Sequence, residues 1–563
     1  MQFPTKCRID ETMSESLNTQ IVDRVKRLVA AVIALDLAIE PAIGHARSRQ
    51  ASIDGLSQSA GHGLAWFATY ASALRAIVEY GLELDKTSRL TDVESLLIAI
   101  AGGEYLDQII GGIPMSQSEF TRARDVLPQE ALEAFTENAF VREAIRQGNT
   151  RENRARLLQI WREGNSEPQL GDPNTDETVE AIRQEIRRFV AKEITPHAQS
   201  WHLQNAYIPQ SVLDQLGALG IFGLTLPEEY GGSGLSKVAM CAVTEELSRG
   251  YLGVGSLGTR SEIAAELISA GGTDEQKRKW LPLIASGQCV PTAVFTEPDV
   301  GSDLASLKTR AARTGDGYVV TGSKTWITHA SRANLMTLLV RTDPNQKGYR
   351  GLSMLLAEKN AGTEKDFFPD EGITGSEIEV LGYRGMKEFE LSFDAFKVPA
   401  KNLLGESEGQ GFKQLMRTFE AARIQTAARA VGVAEAAFSL AWRYANERLQ
   451  FGQPIVQFDR IADKLAMMAA EILTCRQLAY GAARKKDHGV RCDVEAGMAK
   501  LLAAKVAWSA ADNCVQIHGG NGFALEFEAS RILCDARILS IFEGAAEIQA
   551  EVIARGLLAE GSA

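Results

Sequence analysis

Apolar residues recur at helical spacing through about the first 160 residues. Ile21, Val22, Val25, Leu28, Val29, Val32 and Ile33 follow it, as do Leu64, Phe67, Ala71, Leu74, Ile77 and Val78, so amphipathic helices are predicted there. The pattern stops at 163–174, where Gly164, Pro168, Gly171 and Pro173 stand among acidic residues and mark a linker. Helical spacing resumes at about 176–195, 208–219, 236–249, 258–270 and 274–286, with breaks at Pro209, Pro227, Gly231, Gly232, Gly271 and Gly272.

Between about 288 and 400 the period shortens. Strands are predicted at 318–322 and 324–328, on either side of a turn near Gly322, and at 335–341, 352–357 and 389–396. From Gly409 long helical patterns return, at about 410–449, 457–487, 492–516, 524–534 and 545–559, and lengths of this kind suggest an antiparallel bundle. The expected fold is mainly α with a central β domain. Its parts are an N-terminal helical extension (1–165), a helical domain (175–287), a β domain (288–402) and a C-terminal helical bundle (403–563).

The 563 residues carry 60 Lys+Arg against 72 Asp+Glu, a net charge of −12, with 45% hydrophobic and 23% charged residues. This is a globular balance and argues against wholesale disorder. Net acidity without a long basic run disfavours nucleic acid and anionic membrane surfaces as partners. No apolar stretch is read as approaching the roughly 20 residues of a membrane span, and the opening residues lack a signal-peptide core. The seven cysteines are scattered and form no CxxC, which fits a reducing cytoplasm. The seven histidines form no HExxH, so no metal site is expected. No GxGxxG follows a strand, so a Rossmann site has no support.

Five segments carry more specific information. They are Phe295-Thr296-Glu297-Pro298-Asp299-Val300-Gly301-Ser302-Asp303; Trp326-Ile327-Thr328; Arg448-Leu449-Gln450-Phe451-Gly452-Gln453-Pro454-Ile455; Gln516-Ile517-His518-Gly519-Gly520-Asn521-Gly522-Phe523; and Phe542-Glu543-Gly544-Ala545-Ala546-Glu547-Ile548-Gln549. In this order, over about 175–560, they resemble the motifs of the acyl-CoA dehydrogenase family. The sequence departs from the common pattern at Phe542, Ala545 and Asp459, where the family often has Tyr, Thr and Gln. The first 165 or so residues fall outside that pattern. They resemble the extension of family members that act on a short, branched, dicarboxylic acyl-CoA.

The resemblance implies FAD and oxidation of an acyl-CoA thioester to the 2,3-enoyl thioester. It implies Glu543 as the base that takes the α proton, with the thioester carbonyl on the base's own N–H and on a flavin ribityl hydroxyl. Burial in an apolar pocket is expected to raise the pKa of Glu543 toward the working pH. The bland alternative makes Glu543 an acidic residue at a helix N-terminus. Phe295, Thr296, Gly301, Ser302, Trp326, Ile327 and Thr328 are expected at the flavin, with Ala545 and Glu547. Arg448, Gln450, Phe451, Gln516, Ile517, Gly519 and Gly520 are expected at the flavin nucleotide of a neighbouring subunit, which requires at least a dimer.

Ser302, Gly544, Glu420 and Arg423 are expected at the CoA ester, with an i,i+3 surface pair as the alternative for Glu420 and Arg423. Arg260, read as starting a helix along the acyl pocket, is a candidate receptor for a second carboxylate or an exposed capping residue. Arg384 discriminates poorly, and His329 and His518 are read as structural donors. An electron-transfer flavoprotein is the expected acceptor and a homodimer the expected assembly, the extension covering the bundle face through which shorter relatives pair dimers. An acyl-CoA oxidase, or a dehydrogenase for another short or branched chain, keeps the same motifs. A nucleic-acid-binding flavoprotein is disfavoured by the charge and by Glu543.

Overall fold

The computed structural model describes residues 6–50, 56–164 and 167–559; the opening five residues and 165–166 of the linker lie outside the described residues. The extension consists of α1 (Lys6–Gln50), α2 (Gln58–Lys86), α3 (Asp92–Gly111), a small hairpin of β1 (Ile113–Pro114) and β2 (Phe120–Thr121), and the shorter α4 (Ala123–Val126), α5 (Gln129–Thr136), α6 (Ala139–Gln147) and α7 (Arg151–Glu163). Local chemistry sets the ends. Ser57 Oγ accepts from the Ala60 amide at the start of α2, and Thr91 and Glu94 form a capping box on α3.

One sequence expectation is corrected within α1. Thr19–Gln50 is long enough and holds an 18-residue window apolar enough by composition to cross a membrane, with a mean hydropathy of 1.7 and 39% of that window buried. Val25, Leu28, Val32 and Leu35 lie in the core, and α1 packs along α2, α3 and α6.

After the linker come α8 (Glu177–Phe189), α9 (Thr195–Leu203), α10 (Gln210–Ala218), α11 (Lys237–Gly250), α12 (Leu252–Gly271) and α13 (Asp274–Ala285). A π-helical turn at Val190–Ile194 joins α8 to α9, so the single helix expected at 176–195 is extended and locally widened. The larger correction concerns α12. It begins at Leu252, not near 258, which places Arg260 inside the helix and away from its N-terminus.

The β region forms a seven-stranded sheet from β3 (Pro291–Val294), β4 (Arg310–Thr314), β5 (Gly317–Thr328), β6 (Leu335–Arg341), β7 (Leu352–Glu358), β8 (Ile373–Ile378) and β9 (Glu388–Pro399). The order is β3-β6-β4-β5-β9-β8, with β7 on the other side of β6. The two strands expected around Gly322 are one continuous strand. Gly322, at φ +148°, takes up a register shift against β9 where a turn was expected.

The bundle comprises α14 (Gly411–Glu447), the hairpin β10 (Leu449–Gln450) and β11 (Gln453–Pro454), α15 (Asp459–Asp487), α16 (Asp493–His518), α17 (Glu528–Ile538) and α18 (Ala546–Ala559). Long periodic segments become long helices because their apolar stripes have a partner to bury against. α2 lies on α15, α16 and α18, and α3 and α7 lie on α15. Tyr70 of α2 stacks on Tyr105 of α3 at 4.4 Å and accepts from Lys505 Nζ of α16 at 2.8 Å.

The linker is anchored to the bundle. Leu170 is buried and its carbonyl accepts from Arg476 Nη1 at 2.8 Å; the Asp172 amide donates to Tyr80 Oη at 2.9 Å. Arg476 also pairs with Glu245 of α11 at 2.7 Å and Glu435 of α14 at 2.8 Å, and Glu435 continues to Arg187 of α8 at 3.0 Å. Removing one partner of such a buried cluster leaves uncompensated charge. Arg476→Met is therefore expected to cost about 3–5 kcal/mol in urea unfolding; a loss below about 1 kcal/mol would mean the cluster contributes no more than a surface pair.

Candidate active site

Glu543 lies in the turn between α17 and α18. It has φ +52°, and Gly544 follows at φ +90°. A non-glycine residue in this region is strained and must be held there. Two buried side chains hold it. Gln549 Nε2 donates to the carbonyls of Glu543 and Gly544, each at 3.2 Å, and Lys500 Nζ donates to the Gly544 carbonyl at 2.6 Å. A Cβ at position 544 would stand 2.1 Å from Gln549 Nε2, so glycine is required. Among the described residues the Glu543 amide donates to no protein acceptor, leaving that N–H available.

The carboxylate faces α12 and α14. Its Oε1 accepts from Arg260 Nη2 at 2.7 Å; its Oε2 accepts from Arg429 Nη2 at 2.5 Å and from the Thr426 hydroxyl. Thr426 and Arg429 share one face of α14 at i,i+3, and both are fully buried. Arg429 Nη1 donates to Ser256 Oγ at 2.8 Å, and its guanidinium lies over the Phe542 ring at 4.8 Å. The Nε atoms of Arg260 and Arg429 and the Tyr383 hydroxyl are buried without a partner.

This environment reverses the expected shift. Burial by itself would raise the pKa of Glu543, but Arg429, Arg260 and the Thr426 hydroxyl stabilise the anion and bring it down to about 2. Burial lowers Lys500 to about 7, against the pull of Glu543.

A second wall comes from the sheet. Thr328 Oγ1 donates to Glu388 at 2.9 Å, opposite it in the β5–β9 register, and burial raises Glu388 to about 7. His329 is buried with both ring nitrogens unpartnered, and burial lowers it to about 3. Beside them the β5–β9 register slips between Lys324 and Ile327, and Trp326 takes φ +58°. That bulge turns the indole outward, leaving it 56% exposed. The Thr325 amide donates to the Thr296 carbonyl at 3.0 Å, which brings Phe295 and Thr296 alongside. Lys324, fully buried, pins this loop through the Phe295 carbonyl at 2.8 Å and Glu297 at 3.1 Å. Ser302 is exposed, and a Cβ on Gly301 would meet nothing within 4 Å.

A third patch joins two sequence motifs. Tyr444, near the end of α14, stacks on His518 at 4.1 Å and accepts from Asn521 Nδ2 at 3.1 Å. The adjoining Arg448, Gln450, Gln516, Gly519 and Gly520 are exposed, and Phe451 is 93% exposed. Ile517 and Ile327, expected at a cofactor, bury their side chains in the bundle and in the sheet core; their backbone alone is available. Ala545 is half-buried and Glu547 exposed at the start of α18.

Glu420 and Arg423 do not pair with each other. Glu420 accepts from Lys486 Nζ at 2.8 Å, while buried Arg423 lies 5.7 Å from the Phe419 ring centre. Arg260 is neither exposed nor a cap: it is 8% exposed and bonded to Glu543. Thr426, Arg429, Lys500, Glu388 and Lys324 escaped the sequence reading. The signal for Arg429 and Lys500 was a lone charge inside an apolar helical run, Ala427–Val431 and Ala499–Ala503.

Comparison with known proteins follows the same division of the chain. Models of the acyl-CoA dehydrogenase N-terminal, middle and C-terminal domains match residues 176–288, 292–396 and 409–558. The chain is 59% identical over 501 residues, 89% of its length and 91% of the relative's, to (2S)-methylsuccinyl-CoA dehydrogenase of Cereibacter sphaeroides. It is 34% identical to glutaryl-CoA dehydrogenase of Desulfococcus multivorans over 68% of this chain and 97% of that one. The solved butyryl-CoA dehydrogenase of Megasphaera elsdenii superposes with a TM-score of 0.65 and 33% identity, covering 69% of this chain and all (100%) of that one. The three matched regions and these identities establish that the chain belongs to the acyl-CoA dehydrogenase family.

Proposed function

We propose that the protein oxidises (2S)-methylsuccinyl-CoA to mesaconyl-CoA with FAD as its cofactor. The observation that carries the specific substrate is the 59% identity to the enzyme of that name over 89% of the chain. The site supports it: two buried guanidiniums, Arg260 and Arg429, converge on the pocket that holds Glu543, and an acyl chain ending in a carboxylate needs such donors.

The outward indole of Trp326 and the open space over Gly301, Gly519 and Gly520 fit a flat ring and its diphosphate. Phe295, Thr296, Trp326 and Thr328, with the backbone of Ile327, would hold the ring, and Ala545 and Glu547 would border it. Arg448, Gln450, Phe451, Gln516 and Gly519–Gly520, with the backbone of Ile517, would reach the nucleotide of a second copy. FAD bound there would supply the hydride acceptor for the β carbon. Glu543 removes the α proton, and its free amide hydrogen-bonds the thioester oxygen as charge develops there. Gly544, Ser302, Glu420 and Arg423 line the CoA ester.

The rest of the reading is an electron-transfer flavoprotein as acceptor, a cytoplasmic location and a homodimer divided at 1–165, 175–287, 288–402 and 403–563. The free thiols of Cys241, Cys289, Cys475, Cys492, Cys514 and Cys534 support a reducing compartment. The packing of α2, α3 and α7 on the bundle supports the extension as a cover over a face that would otherwise meet a second dimer.

Purified protein is expected to be yellow, or to become so with FAD. Glu543→Gln should keep the fold and flavin yet slow flavin reduction by roughly 10²–10⁴-fold or more in stopped flow; reduction near the wild-type rate would remove Glu543 from its role. Among a panel of acyl-CoA esters with an artificial acceptor, methylsuccinyl-CoA should show the highest kcat/KM. Arg260→Ala should lower that value by roughly 10²-fold without lowering the value for isobutyryl-CoA; equal losses would make Arg260 merely structural. Light scattering on the intact chain should give a dimer, and a stable tetramer would withdraw the covering role of the extension.

A further inference from the structure

The inference rests on the reading of Glu543 as base and of a carboxylated acyl thioester as substrate. We propose that the substrate's own carboxylate unlocks the base: on binding, it draws Arg260 and Arg429 away from Glu543, so the proton acceptor is released only for a carboxylated acyl chain.

Four observations lead there. First, Glu543 is locked by two guanidiniums and a hydroxyl, with Arg260 at 2.7 Å and Arg429 at 2.5 Å. An anion stabilised in this way, with its pKa near 2, is a poor proton acceptor, since a general base works best when its pKa approaches the working pH. Second, both guanidiniums have unused donors, because their Nε atoms are buried without an acceptor. Third, the site is short of negative charge. The charged groups around the 543–544 turn are Arg260 on α12, Arg423 and Arg429 on α14, Lys500 on α16, Glu547 on α18 and Glu388 on β9. Of these Glu547 is exposed, and burial brings both Glu388 and Lys500 to about 7, which leaves three guanidiniums around the one fully charged carboxylate of Glu543. One further buried carboxylate would improve the balance.

Fourth, substrate geometry puts that carboxylate in the right place. In a four-carbon dicarboxylic chain the terminal carboxyl carbon is two bonds from the carbon that loses its proton. Whatever brings that proton to Glu543 therefore also brings the second carboxylate within reach of the same guanidiniums. Two carboxylates this close raise one another's pKa unless cations stand between them. Sharing Arg260 and Arg429 weakens their hold on Glu543 and strengthens it as a base. A neutral branched chain offers no such exchange, and Glu543 stays locked.

The test uses the full-length, flavin-loaded enzyme. The profile of kcat reports groups in the substrate complex and that of kcat/KM groups in the free enzyme. With methylsuccinyl-CoA the acid limb of kcat should lie at least about one pH unit above that of kcat/KM; with isobutyryl-CoA the two should coincide. Calorimetry in two buffers of different ionisation enthalpy follows the binding of mesaconyl-CoA, the oxidised product, which has no hydride left to give the flavin. Proton uptake by wild type should exceed that by Glu543→Gln, and the excess should grow as the pH falls toward the acid limb of kcat. Coincident limbs with methylsuccinyl-CoA, or equal proton uptake by the two proteins, overturn the exchange. Should methylsuccinyl-CoA go unoxidised, or Glu543→Gln reduce flavin normally, the functional reading itself falls.

Discussion

A carboxylate can be kept from water only if cations or donors surround it, and Glu543 imposes that condition on three distant stretches of chain. Arg260 comes from the middle of α12, Thr426 and Arg429 from α14, and the carboxylate from a turn 114 residues beyond Arg429. None of the three can shift alone without leaving a buried charge unpaired. The turn is strained, and Lys500 and Gln549 hold its carbonyls from the opposite side. The pocket is therefore preorganised by charge on one side and by backbone hydrogen bonds on the other.

α14 carries this constraint into the rest of the molecule. The helix that presents Thr426 and Arg429 to the turn also presents Glu435 to Arg476 and Arg187. The second ion cluster takes in α8, α11, α15 and the linker carbonyl of Leu170. A helix held at two charged points along its length has its rotation and its position along the axis fixed. Across the pocket the sheet does comparable work by irregularity: a register slip in β5 turns Trp326 outward while Lys324, two residues earlier, stays inside and ties down the 295–303 loop.

The helical blocks and the order of the parts were legible in the sequence because long apolar stripes have one stable use, burial against another helix. Short strands were less legible. β3, β4 and β8 were missed, since a few residues bounded by loops carry little period. Gly322 was read as a turn because glycine marks turns and bulges alike, and the neighbouring strand β9 decided the matter. Glu543 was singled out by its motif. Its pKa could not, because the cations that set it lie 283 and 114 residues away. Arg429 and Lys500 left a fainter trace, a charge inside a run of alanines and leucines. Arg260 was noticed but its placement misread, because the start of α12 is rich in glycine and lacks a side-chain cap hydrogen bond.

The tether between extension and bundle has a consequence of its own. α2, α3 and α7 cover faces of α15, α16 and α18, and the chain between them and α8 is anchored at Leu170 and Asp172. A separate protein covering the same surface would do so according to its dissociation constant and would leave it on dilution. A covering segment in the same chain is present at an effective concentration set by a short linker, which is independent of how much protein is in solution. The bundle's apolar face is thus shielded as fully in a single dilute molecule as in a crowded one.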